Sequence, residues 1–358
     1  MTRAAAAAAL VALMLGGCGA RAHSPTTPAA SSALAAGRAF LERYATPDGR
    51  VQRIDQGGDT VGEGQAYGML IAAGIGDQRR FAKIWAWTGH HLQRPDGLLS
   101  FRWVDGRVVD PQAATDADLD AARALLVAGC RFHQPTLRRQ GTALGQALLG
   151  AETTSDRGRL LLTAGPWATG NPITLNPSYV APATLMALQR AGGDARFARV
   201  AAAGRTFVQE LSRPLPPDWA TVSRAEADAP QPSGPPGQGG GGPRFGFDAA
   251  RTLVRFAEDP AAAGRRTAAD AWRVLRGQAS ASLVVQRTLA GRPDGDTHHP
   301  IALVGAAGAA AAAGDAAAAA RLLDGAAELD RRQSTYYGAA WVALGRLMLQ
   351  TTALRSCP

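Results

Sequence analysis

Apolar residues recur along this chain at helical spacing, and no stretch alternates apolar and polar residues long enough to build a large sheet. Alanine dominates and β-branched runs are scarce. Both facts favour helices, because alanine loses no side-chain entropy in a helix and β-branched residues lose rotamer freedom there. With 358 residues, 46% of them hydrophobic, the chain is long enough to bury a large core, and that core must lie between layers of helices.

Punctuation divides the pattern into twelve helices. The first runs from a Ser31-Ser32 cap through Leu34, Phe40 and Leu41 to Tyr44. The second opens at Glu63, the third covers Gln78 to Gln93, the fourth starts at Thr115 and the fifth covers Gln134 to Leu149. Asn176-Pro177-Ser178-Tyr179 opens the sixth, with proline tolerated in its first turn. The seventh spans Asp194 to Leu211, the eighth opens at Asp248, and the ninth covers Arg265 to Gln278. The last three start near Pro300, Asp315 and Thr335. Leu99 to Trp103 is extended and Leu162 to Asn176 irregular, while the Pro- and Gly-rich stretch 213–243 is predicted to be a loop with a mobile middle. Twelve paired helices close into six inner and six outer ones, an all-α (α/α)6 barrel occupying residues 33–358 as one domain.

The formal charge is +9, yet Lys83 is the only lysine and the arginines are scattered among acids. Without a basic stripe, nucleic acid is not an expected partner. Arg3, the apolar run Ala4 to Leu15, and Leu15-Gly16-Gly17-Cys18 form an export leader resembling a bacterial lipoprotein signal. That resemblance makes Cys18 the lipidated N-terminus, followed by a flexible tether over residues 19–32, and places the protein in the periplasm or on the outer membrane. An ordinary secretory signal is the alternative, and both export the chain. Cys130 and Cys357 would then be free to pair in an oxidising compartment.

The unusual polar and aromatic residues alternate with the helix count. Glu63 lies between glycines at the start of helix two with Tyr67 one turn on, Asp116 opens helix four, Tyr179 helix six and Asp248 helix eight. His298 and His299 precede helix ten, where they are read as a loop feature, and Tyr336 and Tyr337 open helix twelve. If the even helices form the inner ring they run parallel, and these ends meet at one mouth. Asp116, Asp118 and Asp120 do not form a calcium loop, because alanine and leucine fill the gaps and no glycine or distal glutamate completes one. No metal-ligand spacing or cofactor motif occurs elsewhere. Two carboxyl groups facing across a cleft suit cleavage of a glycosidic bond, one as proton donor and the other as water-activating base. A helix N-terminus lowers a carboxyl pKa, so Glu63 needs burial or a nearby carboxylate such as Asp116 to hold its proton.

Gly-Glu-Gly-Gln-Ala-Tyr-Gly-Met at 62–69, Ala-Thr-Asp-Ala-Asp-Leu-Asp at 114–120, Asn-Pro-Ser-Tyr at 176–179 and Asp-Ala-Ala-Arg at 248–251 together resemble glycoside hydrolase family 8. The resemblance implies an (α/α)6 barrel that cleaves β-1,4-linked glycans with inversion, of the endoglucanase type associated with cellulose synthesis, whose machinery would be a partner. It implies Glu63 as general acid, Asp248 as general base and Asp116 as the group that binds and distorts the sugar. By the same resemblance Arg251 orients the base, Tyr67, Tyr179 and one of Tyr336 or Tyr337 contact sugar or water, and Trp103 stacks on a ring face. Two departures stand out: Ile173 where an aromatic platform is expected, and Phe247 where a tyrosine is common. Chitosan and xylan are the alternative substrates. A non-catalytic glycan-binding lipoprotein or a lyase are the alternative classes; a lyase would leave an unsaturated product absorbing in the ultraviolet.

Overall fold

The computed structural model describes residues 27–224, 229–237, 241–278 and 283–355, and among these it holds twelve α-helices. They are α1 (Pro28–Tyr44), α2 (Gly62–Ile75), α3 (Gln78–His91), α4 (Thr115–Arg131), α5 (Pro135–Ala151), α6 (Pro182–Gly192), α7 (Arg196–Leu211), α8 (Phe247–Ala257), α9 (Ala262–Leu275), α10 (Pro300–Ala312), α11 (Ala316–Arg332) and α12 (Tyr336–Gln350). Each even helix packs on the next, from α2 through α4, α6, α8 and α10 to α12, and α12 returns to α2. That ring is closed. The odd helices lie outside, each against its even neighbour. Sequence explains the division: α2 is apolar all round and buries twelve of its fourteen residues, whereas α3 presents one apolar stripe and buries four of fourteen, as inner and outer layers require. The fold is the expected (α/α)6 barrel.

Several local elements differ from the sequence reading. α1 begins at Pro28, ahead of Ser31, because Thr27 already caps it by accepting the Ala30 N–H (3.3 Å). Tyr179 lies on a separate 3-10 turn, Pro177–Tyr179, and α6 restarts at Pro182. The ring of Pro182 disfavours helical geometry at Ala181, which is why one helix does not run through. Among the described residues, eight short strands form three small antiparallel sheets: β1 (Thr60–Val61), β2 (Arg102–Val104) and β3 (Arg107–Asp110); β4 (Thr153–Asp156) and β5 (Arg159–Leu162); and β6 (Ile173–Leu175), β7 (Trp219–Val222) and β8 (Gln231–Ser233). At two to four residues each they are too short to show a period. The stretch 213–243 is therefore partly strand, pinned to β6 through Ile173–Val222 and Leu175–Ala220. Cys130 is disulfide-bonded. Cys18 and Cys357 lie outside the described residues.

Across the barrel, α4 and α8 are joined by a ladder of buried ion pairs. Arg251 meets Asp116 (2.8 Å), Arg255 grips Asp120 with both terminal nitrogens (2.8 and 2.7 Å), and Arg123 grips Glu258 (2.9 and 2.7 Å). Steps of four and then three residues along each side put successive rungs on one face. On the other side of α8, α10 approaches backbone to backbone at Gly308, where an added Cβ would lie 2.8 Å from the Val254 Cα. Gly308→Ala should therefore push the two helices apart and destabilise the protein by roughly 1–3 kcal/mol, the usual cost of overpacking. Urea unfolding measures this; a variant as stable as the parent would show that the α8–α10 contact yields without cost.

Candidate active site

The N-terminal ends of the inner helices meet at one mouth, and Arg251 stands at their centre. Its side chain is 1% exposed. Nη1 donates to Glu63 Oε2 (3.1 Å), Asp116 Oδ2 (2.8 Å) and the Tyr67 hydroxyl (3.0 Å), while Nη2 donates to Asp248 Oδ1 (2.7 Å). One guanidinium thus joins three carboxyl groups from α2, α4 and α8. A cavity of about 380 Å³ opens above them, lined by Glu63, Asp248, Phe247, His299, Tyr336 and Tyr337 among others. A larger cavity of about 1010 Å³ lies at the opposite end of the inner helices. Its acids Glu258 and Asp259 are already tied to Arg123 and Arg205, so those two carboxyl groups serve the scaffold.

Of the three carboxyl groups on Arg251, Glu63 and Asp248 reach the opening, with side chains 21% and 28% exposed. Burial, and then the negative charge of Asp116, push the Glu63 carboxyl up to about 8, although Arg251 opposes them. This is the direction a proton donor needs, and it overcomes the helix-end effect that works the other way. Asp248 is held differently. Besides Arg251, it accepts a hydrogen bond at Oδ2 from Asn176 Nδ2 (3.1 Å), whose own Oδ1 is fixed by the Ser178 N–H and hydroxyl. Its two oxygens are oriented from two sides. Asp116 is fully enclosed, and burial pushes its carboxyl up against the opposing pull of Arg251.

Other expected residues separate into those at the mouth and those behind it. Tyr336 and Tyr337 both line the cavity; the buried Tyr336 hydroxyl has no hydrogen-bond partner among the described residues, and the Tyr337 hydroxyl donates to the Phe247 carbonyl (3.3 Å). The Tyr179 ring lies against the Arg251 guanidinium at 5.5 Å. Tyr67 is a correction. It is 0% exposed, accepts from Arg251 and from Trp341 Nε1 (3.2 Å), and supports the site from behind without an open face for sugar. Arg251, equally buried, likewise holds carboxylates and offers sugar no open face. Trp103 is not brought to the cavity either: on β2 it packs against Trp87 (5.4 Å) and beneath the Arg50 guanidinium (4.4 Å). Ile173 is fully buried on β6, so no platform exists there.

Three contributors escaped sequence reading. His299 caps α10 through Nδ1, bonds Thr335 through Nε2 (3.0 Å) and stacks near Phe247 (5.1 Å) at the cavity wall, while its neighbour His298 is exposed. Asn176 was visible only as part of a helix start. Asp218 reaches the first turn of α8 from a distant loop. Asp118 points away from the site, accepting the Leu99 N–H (2.8 Å).

Residues 8–236 match the model of glycosyl hydrolases family 8. The chain belongs to that family. A probable endoglucanase of Novacetimonas hansenii is 34% identical over 226 residues, which is 61% of this chain and 64% of the relative. An endoglucanase of Xanthomonas axonopodis pv. citri is 33% identical over 198 residues, 51% of this chain and 50% of the relative. The matches thus span less than two thirds of these curated relatives. Among solved structures, the endo-beta-1,4-glucanase CMCax from Acetobacter xylinum superposes with a TM-score of 0.76 at 28% identity, over 88% of this chain and 97% of that one. A beta-1,3-1,4-glucanase from Paenibacillus sp. X4 superposes with a TM-score of 0.81 over 93% and 94% of the two chains, but at 18% identity it speaks for the shared fold alone.

Proposed function

We propose that this family 8 protein is an endo-acting glycoside hydrolase that cleaves β-1,4-glucan with inversion. The observation that carries the reading is the junction at Arg251: one carboxyl group biased to keep its proton and one held open by Arg251 and Asn176, both facing the same cavity. Glu63 donates its proton to the leaving oxygen through the carboxyl oxygen that Arg251 does not hold. Asp248 takes a proton from the attacking water on the opposite face of the sugar. The guanidinium holds the two carboxyl groups through different terminal nitrogens, Glu63 on Nη1 and Asp248 on Nη2. Asp116, enclosed behind the cavity, holds the Arg251 guanidinium in place (2.8 Å), and the Phe247, His299 and Tyr337 rings supply an apolar wall for pyranose faces.

The endoglucanase relatives favour a cellulose-like substrate. The leader at residues 1–18, outside the described residues, supports export as a lipoprotein anchored at Cys18, with newly made cellulose and its synthesis machinery as neighbours. Reducing-end assays on carboxymethylcellulose, mixed-linkage glucan, chitosan and xylan should show the highest rate on a β-1,4-glucan, with no product absorbing in the ultraviolet. NMR of the first product should show the α-anomer. Silence on glucans with activity on chitosan or xylan would reject the substrate, and a β-anomer would reject Asp248 as water activator.

A further inference from the structure

The first turn of α8, which carries Asp248, has no cap of its own. Gly246 precedes it, and a glycine offers no side chain to the free N–H groups of a helix start. The acceptor comes instead from 28 residues upstream: Asp218 Oδ1 receives the Gly246 N–H (3.0 Å) and the Ala249 N–H (2.7 Å), the two donors that flank Phe247 and Asp248 in sequence. Asp218 is itself fastened, its N–H donating to the Arg244 carbonyl (2.8 Å). Glycine at 246 is what lets the carboxyl approach, since a Cβ there would lie 2.4 Å from Asp218 Oδ2.

The next residue reaches the base by a second route. Trp219 meets the Tyr179 ring edge-on (6.1 Å), that ring lies against the Arg251 guanidinium (5.5 Å), and Arg251 holds Asp248 Oδ1. Two adjacent side chains at the start of β7 therefore fix the backbone beneath Asp248 and the partner in front of it. Burial, followed by the charge of Asp248, pushes the Asp218 carboxyl up to about 7. Below neutral pH it is an un-ionised acid whose carbonyl oxygen accepts the two N–H groups, a role asparagine can copy.

We propose that Asp218 is a positioning residue for the reaction: it caps, from outside the helix, the turn that aims Asp248 at the attacking water. This rests on the reading of Asp248 as the base.

The test is steady-state kinetics at pH 6 on a soluble β-1,4-gluco-oligosaccharide, with thermal unfolding of every variant. Asp218→Ala should lower kcat about 10- to 100-fold, as a small misplacement of a catalytic group does, while KM stays within about twofold because the sugar contacts remain. Asp218→Asn should recover kcat to within about threefold of the parent by restoring the acceptor. Gly246→Ala, which drives a Cβ into Asp218 from the other side, should reproduce the kcat loss and keeps the idea testable if Asp218→Ala does not fold. Parent-like kcat in Asp218→Ala or Gly246→Ala, or an Asn variant as impaired as the Ala variant, overturns the proposal. A rise in KM with kcat unchanged overturns it as well. Asp248→Asn in the same series separates the two levels: if it is inactive while Asp218→Ala is not, the base stands and the cap falls, whereas an active Asp248→Asn removes the base itself.

Discussion

Glu63→Gln is expected to lower kcat on a β-1,4-glucan by at least the ~100-fold usually assigned to general acid catalysis, with KM little changed. Glutamine keeps the shape and still accepts from Arg251 Nη1, so the cluster stays assembled and only the transferable proton is lost. The same carboxyl should set the alkaline side of the pH profile. Burial and Asp116 hold Glu63 protonated up to about 8, so kcat/KM in the parent should fall as pH rises through that value and not at the ordinary carboxyl range. The sign follows from the role: a donor works while it holds its proton, and each step above 8 empties it. Ionising Glu63 also costs stability, since a raised carboxyl pKa favours the fold fully at acid pH and loses that contribution on the way up through 8. Kinetics between pH 5 and 9 check the claim; a limb that stays near 8 in an active Glu63→Gln variant would assign it to another group.

What the sequence displayed and what it concealed divide along the range of the interactions. The helix count and the shared mouth were legible, because Glu63, Asp116 and Asp248 each announce a helix start and α2 is apolar along most of its length. The Arg251 junction was half legible: three residues after Asp248, it is the right distance to reach it on a helix face, but nothing local says that the same guanidinium also reaches α2 and α4. Tyr67 looked like a sugar contact because it shares the face of Glu63 one turn on; that turn is deep enough for the ring to lie behind Arg251 and touch Trp341 instead. Trp103 looked like a platform because an isolated tryptophan on a short extended segment usually has an open face, and Arg50 and the Trp87 ring cover it. Asp218 was hidden by distance alone. A cap is recognised from sequence by its place next to the helix, and this one is supplied across 28 residues.

Arg251→Met should have the broadest effect of any single change, acting on stability and on catalysis together. The guanidinium is 1% exposed and is the cation to which Glu63, Asp116 and Asp248 all bond. Methionine fills similar space with no charge, so the carboxyl groups are left facing one another in a buried setting. Removing one partner of a buried ion pair typically costs about 3–5 kcal/mol. The deficit must depend on pH in a fixed direction. Arg251 is the largest influence that lowers the Asp116 and Glu63 carboxyls against burial, ahead of Arg255 and Arg53, so without it both rise further and the folded protein prefers them protonated. Stability of the variant should then approach that of the parent at acid pH, where the carboxyls are neutral, and fall away as pH rises. Urea unfolding at pH 5 and pH 8 reads this directly, with a difference between parent and variant that is small at pH 5 and large at pH 8. Catalysis should fall at least ~100-fold even at pH 5, because Asp248 loses the bond that aims it and Glu63 the bond that leaves its other oxygen free for the proton. A deficit equal at both pH values would mean that Arg251 acts by packing alone, and retained activity would mean that Asp248 is aimed by Asn176 and the α8 backbone without it.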